Sequence, residues 1–194
     1  MLGISFLVGS VPFSGLAARL LADVDLRDRG SGTVSGTGLY EVAGFGPLAV
    51  AGSLEVAVGA LGPLLAGRDR PFLGAASSGL AVAGHNWSPF LSGAGGRGIS
   101  TVLGATLPLA PEGTVVMGAG LGLGRLAHRT ALGCFVGLVV MLIVLARRRG
   151  LVGAFSALCL ITPVLVKRLL GNRPPESWGS SRLLVNRLIF DSDL

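Results

Sequence analysis

The chain has 194 residues, of which 51% are apolar and only 13% are charged. Soluble domains usually carry about 25% charged residues and disordered chains carry more, so this composition excludes both an ordinary soluble enzyme and a disordered protein. The two cysteines, Cys134 and Cys159, fit neither a metal-ligand spacing nor a disulfide framework, and we expect no metal and no cofactor.

The charged residues predict a membrane protein and not a nucleic-acid-binding one. Sixteen lysines and arginines against ten acidic residues give a net charge of +6. The basic residues stand in short clusters between apolar runs, which is the pattern of loops at a membrane surface. Aromatic residues are few and form no RNA-stacking motif, so the expected partner is the lipid bilayer and no nucleic acid is expected.

Apolar runs predict an all-α integral membrane protein, a compact bundle of about seven transmembrane helices, some of them short. A crossing takes about 20 predominantly apolar residues. We predict, in chain order, the segments Leu2–Ala22, Val42–Ala66, Phe72–Leu91, Ile99–Leu109, Gly113–Leu126, Ala131–Ala146 and Leu151–Val166.

The stretch between Ile99 and Leu126 is read as two short segments because Pro108 and Pro111 interrupt it. Its glycines, at positions 118, 120, 122 and 124, give two overlapping GxxxG spacings, which let helix backbones approach closely in lipid. The same glycines do not predict a nucleotide-binding loop, because no strand precedes them and no βαβ unit surrounds them.

The distribution of lysine and arginine favours an N-terminus outside and a cytoplasmic C-terminus. With seven segments, ten basic residues lie inside and five outside. The triplet Arg147–Arg149 argues against this arrangement. Merging the two short segments into one crossing would place the triplet inside, but it would put Lys167 and Arg168 outside. We therefore favour seven segments.

Three loops then face the cytoplasm, and their composition predicts phosphate binding. They are Asp23–Glu41, a second loop running from Gly84 through Phe90 and Gly93 to Thr101, and Val166–Arg173. Glycines let the backbone approach a ligand, successive N–H groups form anion nests, and a following helix adds its positive end. Arg97, just before the helix from Ile99, suits a phosphate. One such loop alone would favour a plain turn, but two on one face with a third basic loop favour a site.

The residues resemble the PlsY family, membrane-integral acyl-phosphate:glycerol-3-phosphate acyltransferases with three cytoplasmic motifs. The segment Gly9–Phe13 is similar to the family's GS-x-P-F sequence. The first motif, roughly GSGN-x-GATN, is matched at Gly30, Ser31, Gly32 and Thr37. The second, roughly GH-x-(F/W)-P followed by KGGKG-x-AT, is matched at Gly84, His85, Trp87, Gly95, Gly96, Gly98 and Thr101, with Arg97 in place of a lysine. The third, roughly N-I-x-R-L, is matched at Val166, Arg168 and Leu169.

This resemblance implies transfer of a fatty acyl group from acyl phosphate to the 1-hydroxyl of glycerol 3-phosphate, which yields lysophosphatidic acid for phospholipid biosynthesis in a bacterial plasma membrane. His85 and Ser31 are the candidates for catalytic roles. His85 either accepts a proton or hydrogen-bonds the substrate or a loop carbonyl. The residues expected to hold phosphate are Gly30, Gly32, Thr37, Gly95, Gly96, Arg97, Gly98, Thr101, Lys167 and Arg168. Lys167 and Arg168 complete the clamp or form a snorkelling helix end.

Several polar positions of the family differ here. Ala94 and Val58 stand where the family has lysines, and Glu41 stands where it has an arginine. The alternative is therefore a catalytically impaired relative that binds lipid intermediates or a partner. A small transporter is a third hypothesis, but no inverted repeat is visible, and the only intramembrane acid is Glu55. Intramembrane acids usually face the protein interior and are often functional, so Glu55 is a candidate polar site.

The composition changes at Pro174. We assign residues 1–173 to the membrane acyltransferase-like domain and residues 174–194 to a cytoplasmic tail. Leucines and arginines between Ser181 and Phe190 favour a short interfacial helix there, and a flexible terminus is the alternative.

Overall fold

The computed structural model describes residues 1–29, 31–173 and 181–192. Within them every regular element is helical, which confirms the all-α prediction. The α-helices are α1 (Leu2–Gly9), α2 (Phe13–Ala22), α3 (Gly36–Ala43), α4 (Phe45–Ala66), α5 (Pro71–Asn86), α6 (Ile99–Leu109), α7 (Pro111–Leu126), α8 (Thr130–Leu170) and α9 (Ser181–Phe190). Short 3₁₀ turns span Leu26–Asp28 and Pro89–Leu91.

Proline and glycine set most of the helix boundaries. Val11 and Ala110 each precede a proline, and such residues avoid the helical conformation. The helix is therefore interrupted between α1 and α2 and between α6 and α7. Pro71 and Pro111 lie in the first turns of α5 and α7, where a missing N–H costs nothing. Gly150 bends α8 into two halves, with φ 57° and ψ −137°, a conformation that a side chain would oppose.

Several predicted boundaries differ from the structure by a few residues, and the local sequence explains two of these differences. The segment expected to begin at Val42 begins at Phe45, because Gly44 (φ 82°) separates it from α3, a helix inside the first loop that the sequence did not predict. The segment expected to reach Leu91 ends at Asn86, where the chain leaves the helix at Trp87 ahead of Pro89. The predicted break between two short segments is confirmed at Ala110.

Three stretches among the described residues are long and apolar enough to cross a membrane: Leu2–Ala22, Phe45–Ala66 and Thr130–Leu170. The helices pack as a bundle in which α4 contacts α6, α5 contacts α1 and α8, and α7 contacts α8. The main apolar core lies between α5, α6, α7 and α8 around Met117, Met141 and Leu160. A second apolar core, around Leu26 and Leu39, packs the first loop against the neighbouring helices.

Side-chain contacts fix which helix ends lie together. Nη2 of Arg168 donates to the carbonyl of Ala131 at 3.1 Å, so both termini of α8 lie at one end of the bundle. At the bend of α8, Nε of Arg149 donates to Oε1 of Glu112 at 2.5 Å, and Nη1 donates to the carbonyl of Leu109 at 2.7 Å. The bend of α8 therefore lies beside the junction of α6 and α7.

Candidate functional site

The three loops predicted to bind phosphate meet at one end of the bundle, and Asn172 joins them. Its Nδ2 donates to the carbonyls of Gly32 and Gly95, each at 2.8 Å, and its Oδ1 accepts from the N–H of Gly95 at 3.2 Å. The N–H of Val34 donates to the same Gly95 carbonyl at 3.1 Å. One amide side chain of the third loop thus ties the first loop to the second.

The first loop presents hydroxyl groups beside a helix terminus. Ser31 is exposed, and its Oγ lies 2.8 Å from Oγ1 of Thr33. The Oγ of Ser35 accepts from the N–H of Gly38 and so caps α3, and Thr37 is exposed in the first turn of that helix. Gly30, also predicted to belong to the site, lies outside the described residues.

An ion-pair cluster braces the start of this loop. The carboxylate of Asp25 accepts from Arg27 at 2.7 Å and also pairs with Arg19. The side-chain hydrogen bond from Arg27 is the main cause that holds the pKa of Asp25 well below its usual range, with Arg19 acting in the same direction. This charge is therefore structural, because it is paired with Arg27 of the same loop and with Arg19 of α2.

The second loop folds back on the last turn of α5, and its glycines make this approach feasible. A Cβ added at Gly96 would lie 2.2 Å from Nε2 of His85 and 2.7 Å from the carbonyl of Val34. The N–H of Gly96 donates to the main-chain carbonyl of His85 at 3.2 Å. The imidazole of His85 therefore lies against the glycine backbone, between the first and second loops.

Two of the three cations of the predicted clamp, those of Arg97 and Lys167, belong to neighbouring residues in the fold. Nη1 of Arg97 donates to the carbonyl of Lys167 at 3.3 Å, and Arg97 also pairs with Asp191, which follows α9. Lys167 is 1% exposed, its Nζ donates to the carbonyl of Gly93 at 3.3 Å, and that ammonium lies 5.3 Å from the centre of the Trp87 ring. The ammonium thus reaches the second loop next to Ala94.

The remaining predicted site residues lie in packing positions. Arg168 is buried and donates to the carbonyls of Leu188 and Ala131. Thr101 is buried in α6, where its main chain faces Gly59 of α4. Glu55 is 4% exposed in α4, and its Oε1 accepts from Oγ of Ser14 at 2.7 Å, so it does face the protein interior.

Sequence reasoning overlooked Asn172 and Asp191. Asn172 follows Gly171, which ends α8 with φ 65°, and a polar residue just beyond such a helix end was a usable signal. Nothing in the sequence singled out Asp191, because its partner Arg97 is 94 positions away along the chain.

Comparison with known proteins assigns the chain to a family. The glycerol-3-phosphate acyltransferase family matches residues 1–172, which is almost all of the chain before α9. The chain belongs to this family. The membership confirms the resemblance drawn from the three motifs, and it covers each loop that Asn172 joins.

Named relatives of this acyltransferase family agree with the assignment. The chain is 31% identical to the glycerol-3-phosphate acyltransferase of Halalkalibacterium halodurans, over 83% of this chain and 82% of the relative. It is 38% identical to glycerol-3-phosphate acyltransferase 2 of Moorella thermoacetica, a match that spans just over half of each protein (56% of both).

A solved structure shares the fold. The chain superposes with a TM-score of 0.78 and 22% identity on PlsY (YgiH), an integral membrane glycerol 3-phosphate acyltransferase, in its glycerol 3-phosphate form. The superposition covers 86% of each chain. The chain thus has the same fold as this integral membrane protein.

Proposed function

We propose that this chain transfers an acyl group from an acyl phosphate to the 1-hydroxyl of glycerol 3-phosphate and forms lysophosphatidic acid in a bacterial plasma membrane. Family membership and the names of its relatives support glycerol 3-phosphate as the acceptor. The observation that carries the proposal is the meeting of three loops at one end of the bundle, where Asn172 joins two of them and Arg97 lies against Lys167.

An apolar groove supports an acyl donor. It lies between α5 and the second half of α8 and has a volume of about 600 Å³. Its walls include Leu80, Ala83, Phe155, Leu158 and Pro163, and Trp87 and Val166 also line it. Because Lys167 lies 5.3 Å from the Trp87 ring, an acyl chain in the groove would carry its phosphate towards this ammonium.

The phosphates are bound by loop backbone and by cations. Arg97 and Lys167 contact one phosphate, with the glycines of the second loop providing close approach and N–H donors. Ser31, Gly32 and Thr37 contact the other, beside the positive end of α3. Arg168 contributes indirectly, since its guanidinium bonds to carbonyls and holds the end of α8 from which Lys167 projects.

The chemistry is direct acyl transfer. The hydroxyl oxygen of the acceptor attacks the carbonyl carbon of the acyl phosphate, an ester bond forms, and the bond to phosphate breaks. Inorganic phosphate leaves with the electron pair, and the hydroxyl proton passes to a phosphate oxygen. Because an acyl phosphate is already activated, the protein mainly orients two substrates and stabilises developing charge. His85, packed against Gly96, positions the second loop for this step.

Seven crossings with an outside N-terminus fit the contacts between helix ends. The Arg168–Ala131 contact joins the two termini of α8, and the Arg149–Glu112 contact lies at its bend, so the two contacts lie at opposite ends of the bundle, as two antiparallel halves require. The three loops then face the cytoplasm with most of the basic residues. Labelling with a membrane-impermeant maleimide tests this: in a cysteine-free background, Asp69→Cys is labelled on intact cells and Arg29→Cys only after lysis. The reverse pattern contradicts it.

The purified protein in lipid vesicles tests the activity. We expect release of inorganic phosphate and an equal amount of lysophosphatidic acid from a long-chain acyl phosphate with glycerol 3-phosphate. We expect Arg97→Ala to lower kcat/KM about 10- to 150-fold, because a charge-assisted contact contributes roughly 1.5–3 kcal/mol.

The matched control is Arg148→Ala, which removes an equal charge from an exposed position at the bend of α8 and should leave kcat/KM unchanged. Acyl-CoA in place of acyl phosphate should give no product. Turnover with acyl-CoA alone contradicts the proposed donor. Glycerol 3-phosphate binding without any turnover favours the catalytically impaired relative.

A further inference from the structure

Helix α9 is attached to α8 by two arginines, each of which bonds to the carbonyl end of the other's helix. Arg168, in the last turn of α8, donates to the carbonyl of Leu188 at 2.9 Å. Arg187, in α9, donates to the carbonyls of Leu169 at 3.0 Å and Leu170 at 3.2 Å. Cations stabilise helix C-termini, and both arginines are at most 4% exposed. Detaching α9 would break these charge-assisted hydrogen bonds and leave carbonyls at both helix ends without partners, so α9 is held against the end of α8.

This attachment brings a carboxylate onto Arg97. Asp191 follows α9 directly, and its N–H donates to the carbonyl of Arg187 at 3.1 Å. Its φ of 53° is left-handed, which is uncommon for a residue with a side chain and indicates that the surroundings fix it. Nη2 of Arg97 lies 2.7 Å from Oδ1 of Asp191, and Nε donates to Oδ2 at 2.9 Å.

The pair leaves part of the guanidinium available for a ligand. Arginine has five N–H donors. Nε donates to Oδ2 of Asp191, Nη2 lies in ion-pair contact with Oδ1, and Nη1 donates to the carbonyl of Lys167. Among the described residues, one N–H on each terminal nitrogen has no acceptor, and two such donors suit two oxygens of a phosphate.

In the part of the chain that the structure describes, the side-chain contacts of Arg97 come from outside its own loop, from Asp191 and from the carbonyl of Lys167. It lies between Gly96 and Gly98, and its side chain has about 2 kcal/mol of rotamer entropy. A fixed carboxylate orders the guanidinium before the ligand arrives, so less entropy is lost on binding.

We propose that Asp191 is a positioning residue, which holds Arg97 with two N–H groups directed at the phosphate of a substrate. This inference rests on the proposed function, in which Arg97 binds phosphate. The competing interpretation is that Asp191 occupies the phosphate position and inhibits binding. The buried attachment of α9 opposes it, because a competing segment would have to detach during each turnover.

The full-length protein in vesicles tests the proposal through Asp191→Asn. We expect kcat/KM to fall about 10-fold, and the inhibition constant of inorganic phosphate to rise by a similar factor, as for loss of one well-ordered charged contact. The Tm should stay unchanged, since Arg168 and Arg187 still attach α9. The control Asp69→Asn, an equal charge change at an exposed position, should alter neither quantity.

A double-mutant cycle separates positioning from a purely structural role. In an Arg97→Lys background, Asp191→Asn should have little further effect on kcat/KM, because the oriented group is gone. An equal fall in both backgrounds, or a lower Tm in both, overturns the proposal. A rise in kcat/KM in the single variant also overturns it and supports inhibition by the carboxylate.

The outcome for Asp191 is distinguishable from the outcome for the proposed function. Should the wild-type protein show no turnover, the proposed function fails, and the Kd of inorganic phosphate still decides the role of Asp191. A higher Kd of inorganic phosphate for Asp191→Asn than for wild type upholds the positioning role, and equal Kd values overturn it.

Discussion

The interface between α7 and α8 and the cluster of three loops are both rich in glycine, but the glycines act differently. Between the helices, a Cβ at Gly133 would lie 2.3 Å from the carbonyl of Gly120, and one at Gly124 would lie 2.9 Å from the Cα of Gly133. In the loops, Gly95 and Gly96 instead make room for side chains and loop carbonyls.

Different interactions stabilise the helix interface and the loop cluster. The helices are held by backbone contact over a continuous surface, whose strength in lipid comes from close packing. The loops are held by a few polar bonds, with Asn172 making three of them. A single change should therefore abolish the loop arrangement, whereas it should only weaken the helix interface.

The largest expected effect is in the loop cluster. Asn172→Ala removes three hydrogen bonds, each contributing roughly 0.5–1.5 kcal/mol, and the loops should separate. We expect kcat/KM to fall at least about 30-fold, because a loss of about 2 kcal/mol in transition-state binding corresponds to that factor. The Tm should fall by a few degrees, since the same bonds stabilise the folded loops.

The variant Asn172→Asp separates the acceptor role of this side chain from its donor role. It keeps an acceptor for the N–H of Gly95 but loses the donors to two carbonyls, so it should resemble Asn172→Ala and not the wild type. Wild-type kinetics in both variants would show that the loops are held by other contacts.

A smaller effect is expected at the helix interface, on stability and not on kcat/KM. Gly133→Ala should lower the free energy of unfolding by about 1–3 kcal/mol, because the added methyl meets the backbone of α7. Gly122→Ala is the matched control, since nothing lies within 4 Å of its added Cβ. In thermal unfolding in detergent, the Tm of Gly122→Ala should equal or exceed that of the wild type. Equal Tm values for the two variants would contradict backbone contact as the source of stability.

The smallest effect is expected at the ion pairs of the first loop. The folded-state pKa of Asp25 is lowered, chiefly by Arg27, so its stabilisation is fully present above the unfolded pKa of about 3.9 and is lost as the pH falls through the folded pKa. Asp25→Asn should lower stability at pH 7 by less than about 1 kcal/mol, as for exposed pairs. The difference from wild type should shrink in acid. A difference that grows in acid would contradict this assignment.

The sequence predicted the apolar segments and the three loops because both depend on local composition. The break at Ala110 followed from Pro111, and the close approach of helices followed from the glycine spacing in α7. Helix α3 was missed because it lies within a glycine-rich loop, where its capping residue Ser35 resembled an ordinary turn residue. The predicted roles of His85, Ser31 and Arg168 depend on a ligand and stay predictions.

The sequence by itself determined that the chain is made of apolar helices suited to a membrane, where most of these helices begin and end within a few residues, and which family its motifs belong to. These features follow from hydropathy and from residues adjacent along the chain. Only the tertiary structure decided that Asn172 joins two loops, that Lys167 reaches the second loop, and that Asp191 pairs with Arg97. Those partners are at least 74 positions apart in sequence, and packing of the helices alone sets their distances.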